Sequence, residues 1–261
     1  MKIHPSAIIS KKAKLDSDVS VGPFAVIGEN VSIGKGTVVG AHCLIDGRTT
    51  IGKNCQIFSG AVVGSRPQDL KYKGGKVYLE IGDENIIREY CTFNPGTHEG
   101  GKTVIGNNNL FMAYSHIAHD CVIGHHCVIA NNGTCAGYVT IEDKAVIGGI
   151  VAIHQFVRIG TLSIIGGCSK VVSDIPPFST CDGHPAAIYG LNRVGLKRHN
   201  VAKESIDQLH HAFKILFNQG LTLKHGLEKA QKEVKQTKEV IYLLSFIKSS
   251  QRGIAHSCRK R

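Results

Sequence analysis

The chain has 261 residues, 42% of them apolar, and no apolar run long enough to span a membrane, so stable membrane insertion is not expected. Its nine cysteines form no CxxC pair and are read as small reduced residues in a packed interior, which suits a cytoplasmic protein. The net charge of +11 is uneven: residues 1–190 carry 16 Lys and Arg against 15 Asp and Glu, whereas residues 191–261 carry 15 against 5. A basic end of this kind suits an acidic partner, but nucleic acid is not expected, because Tyr and Phe do not interleave with the tail's cations as stacking platforms would.

From Ile3 onward, every sixth residue is apolar: Ile3, Ile9, Leu15, Val21, Ile27 and Ile33 begin the series, and Ile147, Ile153, Ile159, Ile165 and Val171 end it. Of 29 slots, only Asp69, Gly75, Glu99 and Cys135 break the rule. The pattern already occupies the stretch where a signal peptide would stand. A period of six fits neither an α-helix nor a plain strand, so it reports a larger repeat. Three hexads make a triangular coil with one inward β-branched side chain per side. The expected fold is an all-β left-handed parallel β-helix over residues 1–190. Glycine often follows the slot, as at Gly22, Gly34, Gly148 and Gly160, where a side chain would crowd the corner.

Two polar excursions, residues 65–79 and 96–102, interrupt the hexads and rejoin them in phase. A solenoid has no structural need of such loops, which points to binding. Histidines cluster nearby at His116, His119, His125, His126 and His154. Counting by coils from His119 lands beside Tyr138 and His154, so these three are expected on one edge. An imidazole suits proton abstraction near neutral pH. Its orienting partner is either Asp120 or a backbone carbonyl, since neighbouring strand side chains normally diverge. Three imidazoles could also hold zinc, but Tyr138 interrupts the column, and no metal is expected.

Pro176–Pro177 is read as the end of the solenoid, because proline donates no N–H to a next coil. Residues 191–261 then read as a basic domain of three to four helices, with Ile206, Leu209, Phe213 and Phe217 as one apolar stripe and Thr222 as a cap. Such a domain would cover the last coil's open edge.

The segments Gln68-Asp69-Leu70-Lys71-Tyr72, His116-Ile117-Ala118-His119-Asp120, His154-Gln155-Phe156, Gly166-Gly167-Cys168-Ser169 and Gly195-Leu196-Lys197-Arg198 resemble a known family over essentially the whole length. It is the acyl carrier protein–dependent UDP-N-acetylglucosamine O-acyltransferases of the hexapeptide-repeat superfamily, which open lipid A biosynthesis. The resemblance implies a homotrimer with active sites in clefts between solenoids. It makes His119 the general base on the sugar 3-hydroxyl, with Asp120 beside it and a backbone N–H at Gly137 as oxyanion donor. Asp69, Lys71, His116, Tyr138, His154 and Gln155 would contact the UDP-sugar, and Asn192 and Arg198 would reach the nucleotide. Gly167 would limit the acyl pocket. The donor is a (3-hydroxy)acyl thioester on the phosphopantetheine of acyl carrier protein, whose acidity matches the basic tail. No other cofactor is implied.

The sequence departs from better-known members at Asn94 and Tyr138, where histidines are common, and at Val194 and His199, which replace a glutamate and an arginine. An alternative acceptor is therefore the 3-amino analogue of the UDP-sugar, giving an amide. More distant readings are an acetyl-coenzyme A–dependent sugar acetyltransferase, a trimeric zinc carbonic anhydrase and a non-enzymatic β-helical scaffold.

Overall fold

The computed structural model describes residues 1–258, and the hexads can be followed in it strand by strand. Most strands are two residues long with the second at a slot: His116–Ile117, Val122–Ile123 and Val128–Ile129 are successive sides of the solenoid. Strands of one side stack in parallel, with Val128, Val146 and Ile164 paired in turn at intervals of 18 residues. Three sheets of 11, 9 and 8 strands result, here called first, second and third in the order the chain visits them. They wall a left-handed triangular β-helix in which the main-chain polar groups of each strand are answered by the coils on either side.

Slot residues from Val21 to Val171 outside the two excursions fill the interior, and Ile27, Phe93, Phe111, Ile117 and Ile129 are fully enclosed. Cys135 breaks the apolar series in composition only; it too lies inside. Most corners use a two-residue turn whose second residue is left-handed, as at Tyr114 (φ 65°), Asp120 (φ 59°) and His126 (φ 56°). The glycines after the slots have a different cause. Gly22, Gly34, Gly148 and Gly160 have no left-handed φ, but a Cβ on any of them would come within 3 Å of the next coil's backbone, 2.7 Å from the Gly167 nitrogen in the case of Gly148.

The strand Val62–Val63 pairs with Thr92–Phe93, 30 positions on, and Thr92–Phe93 pairs with His116–Ile117, 24 positions on. Both intervals are whole multiples of six, which is why the phase survives the excursions. The excursions end sooner than the polar composition suggested. Tyr78–Ile81 and Lys102–Ile105 are paired four-residue strands, because alternation puts Leu79 and Thr103 inside along with Ile81 and Ile105.

Pro176–Pro177 does not end the solenoid. The prolines fall between strands, where the ladder needs no N–H from them, and Ser179–Gly183 adds one more parallel strand beside Ile164–Ile165. The edge is closed instead by Ala186–Leu191, which returns antiparallel. Four helices follow: α1 (Arg193–Arg198), α2 (Lys203–Phe213, prolonged by a π-helical turn Lys214–Asn218), α3 (Leu223–Glu233) and α4 (Lys238–Ser249). Asn192, Thr222 and Thr237 cap α1, α3 and α4 through side-chain oxygens. Helix α2 packs on the closing strand and on α4. Arg158 ties α4 to the solenoid wall, donating to Ser249 Oγ at 3.1 Å and lying 4.3 Å from the centre of the Phe246 ring. No helix among the described residues is long and apolar enough to cross a membrane.

Candidate active site

The corner between the second and third sheets gathers most of the reactive side chains. Both excursions leave from it, and in the next three coils it is formed by Ala118, His119 and Asp120, then Ala136, Gly137 and Tyr138, then His154, Gln155 and Phe156. The register Ile117 to Cys135 to Ile153 sets the columns. His119 is followed by Gly137 and Gln155, Asp120 by Tyr138 and Phe156, and Ala118 by Ala136 and His154. His119, Tyr138 and His154 thus lie on one edge but in three adjacent columns, and at a corner one residue of offset changes the direction of the side chain. The rings of His119 and Tyr138 still meet edge-on, with centroids 5.3 Å apart, and Tyr138 stacks on Phe156 at 4.9 Å.

His119 Nδ1 lies 2.9 Å from Asp120 Oδ2. An ionised carboxylate only accepts, so this contact puts the proton on Nδ1 and leaves the Nε2 lone pair free. The choice between Asp120 and a carbonyl is decided by the left-handed corner: at φ 59° Asp120 does not turn away from its neighbour as it would in a strand. The Asp120 side chain is 5% exposed and that of His119 15%, so the carboxylate is enclosed while the imidazole keeps an open edge. Thr97 Oγ1 donates to the same Asp120 Oδ2 at 2.7 Å and lies 3.3 Å from the Tyr138 hydroxyl. Thr97 was not singled out from sequence, because the contacts of a loop residue leave no trace in a six-residue period.

Gly137 lies against the His119 ring so closely that a Cβ there would be 2.4 Å from Cε1 and 2.6 Å from Nε2. Among the described residues its N–H has no hydrogen-bond acceptor, and its carbonyl accepts from Phe156 N–H at 3.2 Å. His116, at the start of the approach to the corner, has Nδ1 2.7 Å from Thr92 Oγ1. Burial, and secondarily the nearby His119, hold its pKa below the ordinary imidazole value, while a bond to the Thr92 backbone opposes them. His116 is therefore neutral at pH 7. His154 is exposed, its Nδ1 3.2 Å from the Gln155 carbonyl.

In the first excursion, Asp69 Oδ1 accepts the Lys71 N–H at 2.8 Å, making a turn that presents Lys71 to solvent. Buried Asn94 donates to the carbonyls of Ser65 and Arg66 at 3.2 and 3.4 Å, tying the roots of the two excursions together.

Three other expected residues lie elsewhere. Gly167 is on the corner between the first and second sheets, where a Cβ would meet nothing nearer than the Gly149 carbonyl oxygen at 3.3 Å. Asn192 is fixed on the corner between the third and first sheets, donating to the Leu162 carbonyl at 2.8 Å and accepting from Gly195 N–H at 2.9 Å. Arg198 is exposed at the end of α1, and the neighbouring His199 is held below the ordinary imidazole range by partial burial and by Lys144 and His126. One chain thus spreads the expected residues over all three corners. Among the described residues, no group of three or more His, Cys, Asp or Glu could hold a metal ion.

The triangular solenoid built from hexads is that of the hexapeptide-repeat transferases, and the bacterial transferase hexapeptide model matches residues 12–47 and 102–137. The model for UDP-N-acetylglucosamine O-acyltransferase, domain 2, matches residues 174–255. A relative named acyl-[acyl-carrier-protein]–UDP-N-acetylglucosamine O-acyltransferase from Thermodesulfovibrio yellowstonii is 51% identical over 97% of this chain and 98% of its own. One of the same name from Thiobacillus denitrificans is 49% identical over the same shares. A solved acyltransferase structure from Acinetobacter baumannii superposes with a TM-score of 0.94 at 41% identity, covering 97% of this chain and 99% of that one. The chain belongs to the UDP-N-acetylglucosamine O-acyltransferase family.

Proposed function

We propose that the protein transfers an acyl or 3-hydroxyacyl chain from acyl carrier protein to the 3-hydroxyl of UDP-N-acetylglucosamine. The observation that carries this reading is the His119–Asp120 pair, with its free Nε2 beside the unpaired Gly137 N–H at the mouth of two loops. His119 Nε2 takes the proton of the sugar 3-hydroxyl, and Asp120 stabilises the resulting imidazolium. The sugar oxygen attacks the thioester carbonyl carbon, and the oxygen of the tetrahedral intermediate receives the Gly137 N–H. Collapse breaks the carbon–sulfur bond, and the His119 proton goes to the departing phosphopantetheine thiolate. The proton balance closes on one imidazole, with no covalent enzyme intermediate.

The distribution of the remaining residues supports a homotrimer. Arg198 and Gly167 stand on corners that His119 does not share, and juxtaposed copies of the prism bring unlike corners together across a cleft. A guanidinium on one wall would then meet the diphosphate, matching its oxygens with paired donors. The basic helical end suits the acidic carrier protein.

The test is the mass of the product from acyl carrier protein thioesters and UDP-N-acetylglucosamine or its 3-amino analogue. His119→Ala is expected to lower the rate by about 100- to 10,000-fold with melting temperature and oligomeric state unchanged. Full activity of that variant would refute the assignment, and hydroxylamine lability distinguishes an ester product from an amide.

A further inference from the structure

We propose that Thr97, in the second excursion, is a positioning residue for the base, an inference that rests on His119 acting in that role. The Asp120 carboxylate is 5% exposed, and its polar contacts are lopsided. Oδ2 receives both His119 Nδ1 at 2.9 Å and Thr97 Oγ1 at 2.7 Å. Oδ1 is buried with no hydrogen-bond partner among the described residues; the nearest cationic candidate, His98 Nδ1, is 3.6 Å away on an exposed side chain. A buried carboxylate with one bare oxygen can relieve that burial by rotating, and rotation would swing Oδ2 off the imidazole. The Thr97 hydroxyl opposes this. It donates to Oδ2, so its own oxygen is left to accept, and the Tyr138 hydroxyl stands 3.3 Å away to supply that proton. The resulting chain, Tyr138 to Thr97 to Asp120 to His119, links two coils and a loop around the Nδ1–H tautomer.

The hydroxyl is not needed to hold the loop. Backbone bonds from Gly96 N–H to the Tyr78 carbonyl at 3.2 Å and from Gly100 N–H to the Lys76 carbonyl at 2.9 Å fix the excursion. Glu99 adds a carboxylate contact to the Lys76 N–H at 2.9 Å. Removing the Thr97 hydroxyl therefore leaves the loop in place and frees the carboxylate together with the Tyr138 hydroxyl.

The experiment compares Thr97→Val, Thr97→Ser and His119→Ala in the full-length protein by steady-state kinetics, with ¹⁵N resonances of His119 as a direct readout of tautomer. Thr97→Val is expected to lower kcat about tenfold, the loss of one hydrogen bond to a charged group, with both KM values unchanged. The His119 signal should move toward the Nε2–H tautomer, and Thr97→Ser should restore both. Thr97→Ala, with the same expectations, replaces Thr97→Val if the valine variant does not fold. Wild-type kcat in the hydroxyl-free variant, or a loss that serine does not rescue, overturns the proposal. If His119→Ala is inactive while Thr97→Val is fully active, only the role of Thr97 fails; if His119→Ala is active, the base assignment itself fails.

Discussion

Gly137 lies directly beneath the imidazole of His119, so close that a methyl group on its Cα would fall 2.4 Å from the ring. The coil below the base is therefore shaped around it. Gly137→Ala should displace the ring by the better part of an ångström while leaving the coil hydrogen bonds intact. A shift of that size is expected to lower kcat by about 100-fold. Steady-state rates alongside a thermal melt check this, and an alanine variant with full activity would show that the ring has room to move.

His116 gives the fold a pH dependence whose sign follows from burial. Burial holds its folded pKa below the ordinary imidazole value of about 6.5, so the unfolded chain takes up the proton first as the pH falls. The stability this group contributes is fully present above about 6.5 and is lost as the pH drops through that value toward the folded pKa. Urea unfolding at pH 7.5 and 5.5 should show weaker folding at the lower pH, and His116→Gln should flatten the difference.

The Tyr242 hydroxyl of α4 bonds to the Glu142 carboxylate on the solenoid and lies 3.3 Å from Thr161 Oγ1. Burial and the neighbouring carboxylate both raise the Tyr242 pKa, so it remains a donor at any physiological pH. Tyr242→Phe removes that donor and is expected to cost about 1–2 kcal/mol. Limited proteolysis should show the helical domain opening before the solenoid.

Seven of the nine cysteines are buried, the exceptions being Cys168 and Cys258. Burial pushes the Cys121 and Cys127 thiols up to about 12 and raises that of Cys135 as well. Enclosed, protonated thiols are inert to disulfide reagents. Native protein should thus release at most two equivalents with a chromogenic disulfide and nine after denaturation.

The solenoid was legible because its period is imposed residue by residue: each slot from Val21 to Val171 outside the excursions fills the same interior position. Cys135 looked like an exception only because composition, not size, was being read. The corners were less legible. The left-handed residues Tyr114, Asp120 and His126 share no residue type; the six-residue phase locates their corners but does not tell which way the side chains there point. That is why the pairing of His119 with Asp120 stayed open. The prolines misled for a related reason: a proline ends a ladder only when it stands in a strand, and Pro176–Pro177 stands between two. Thr97 was invisible to periodicity altogether, since its partner Asp120 is 23 residues away across a loop.

Because neighbouring coils are separated by about 4.8 Å, the prism can supply a functional group only at discrete heights along its axis. Gly137 and Gln155 stand one and two rungs from His119, and no rung lies between. Any group needed at an intermediate height must be carried there by chain that has left the ladder, as Thr97 is. Adaptation of this scaffold to new ligands should therefore accumulate in its interruptions, while the rungs themselves stay constant.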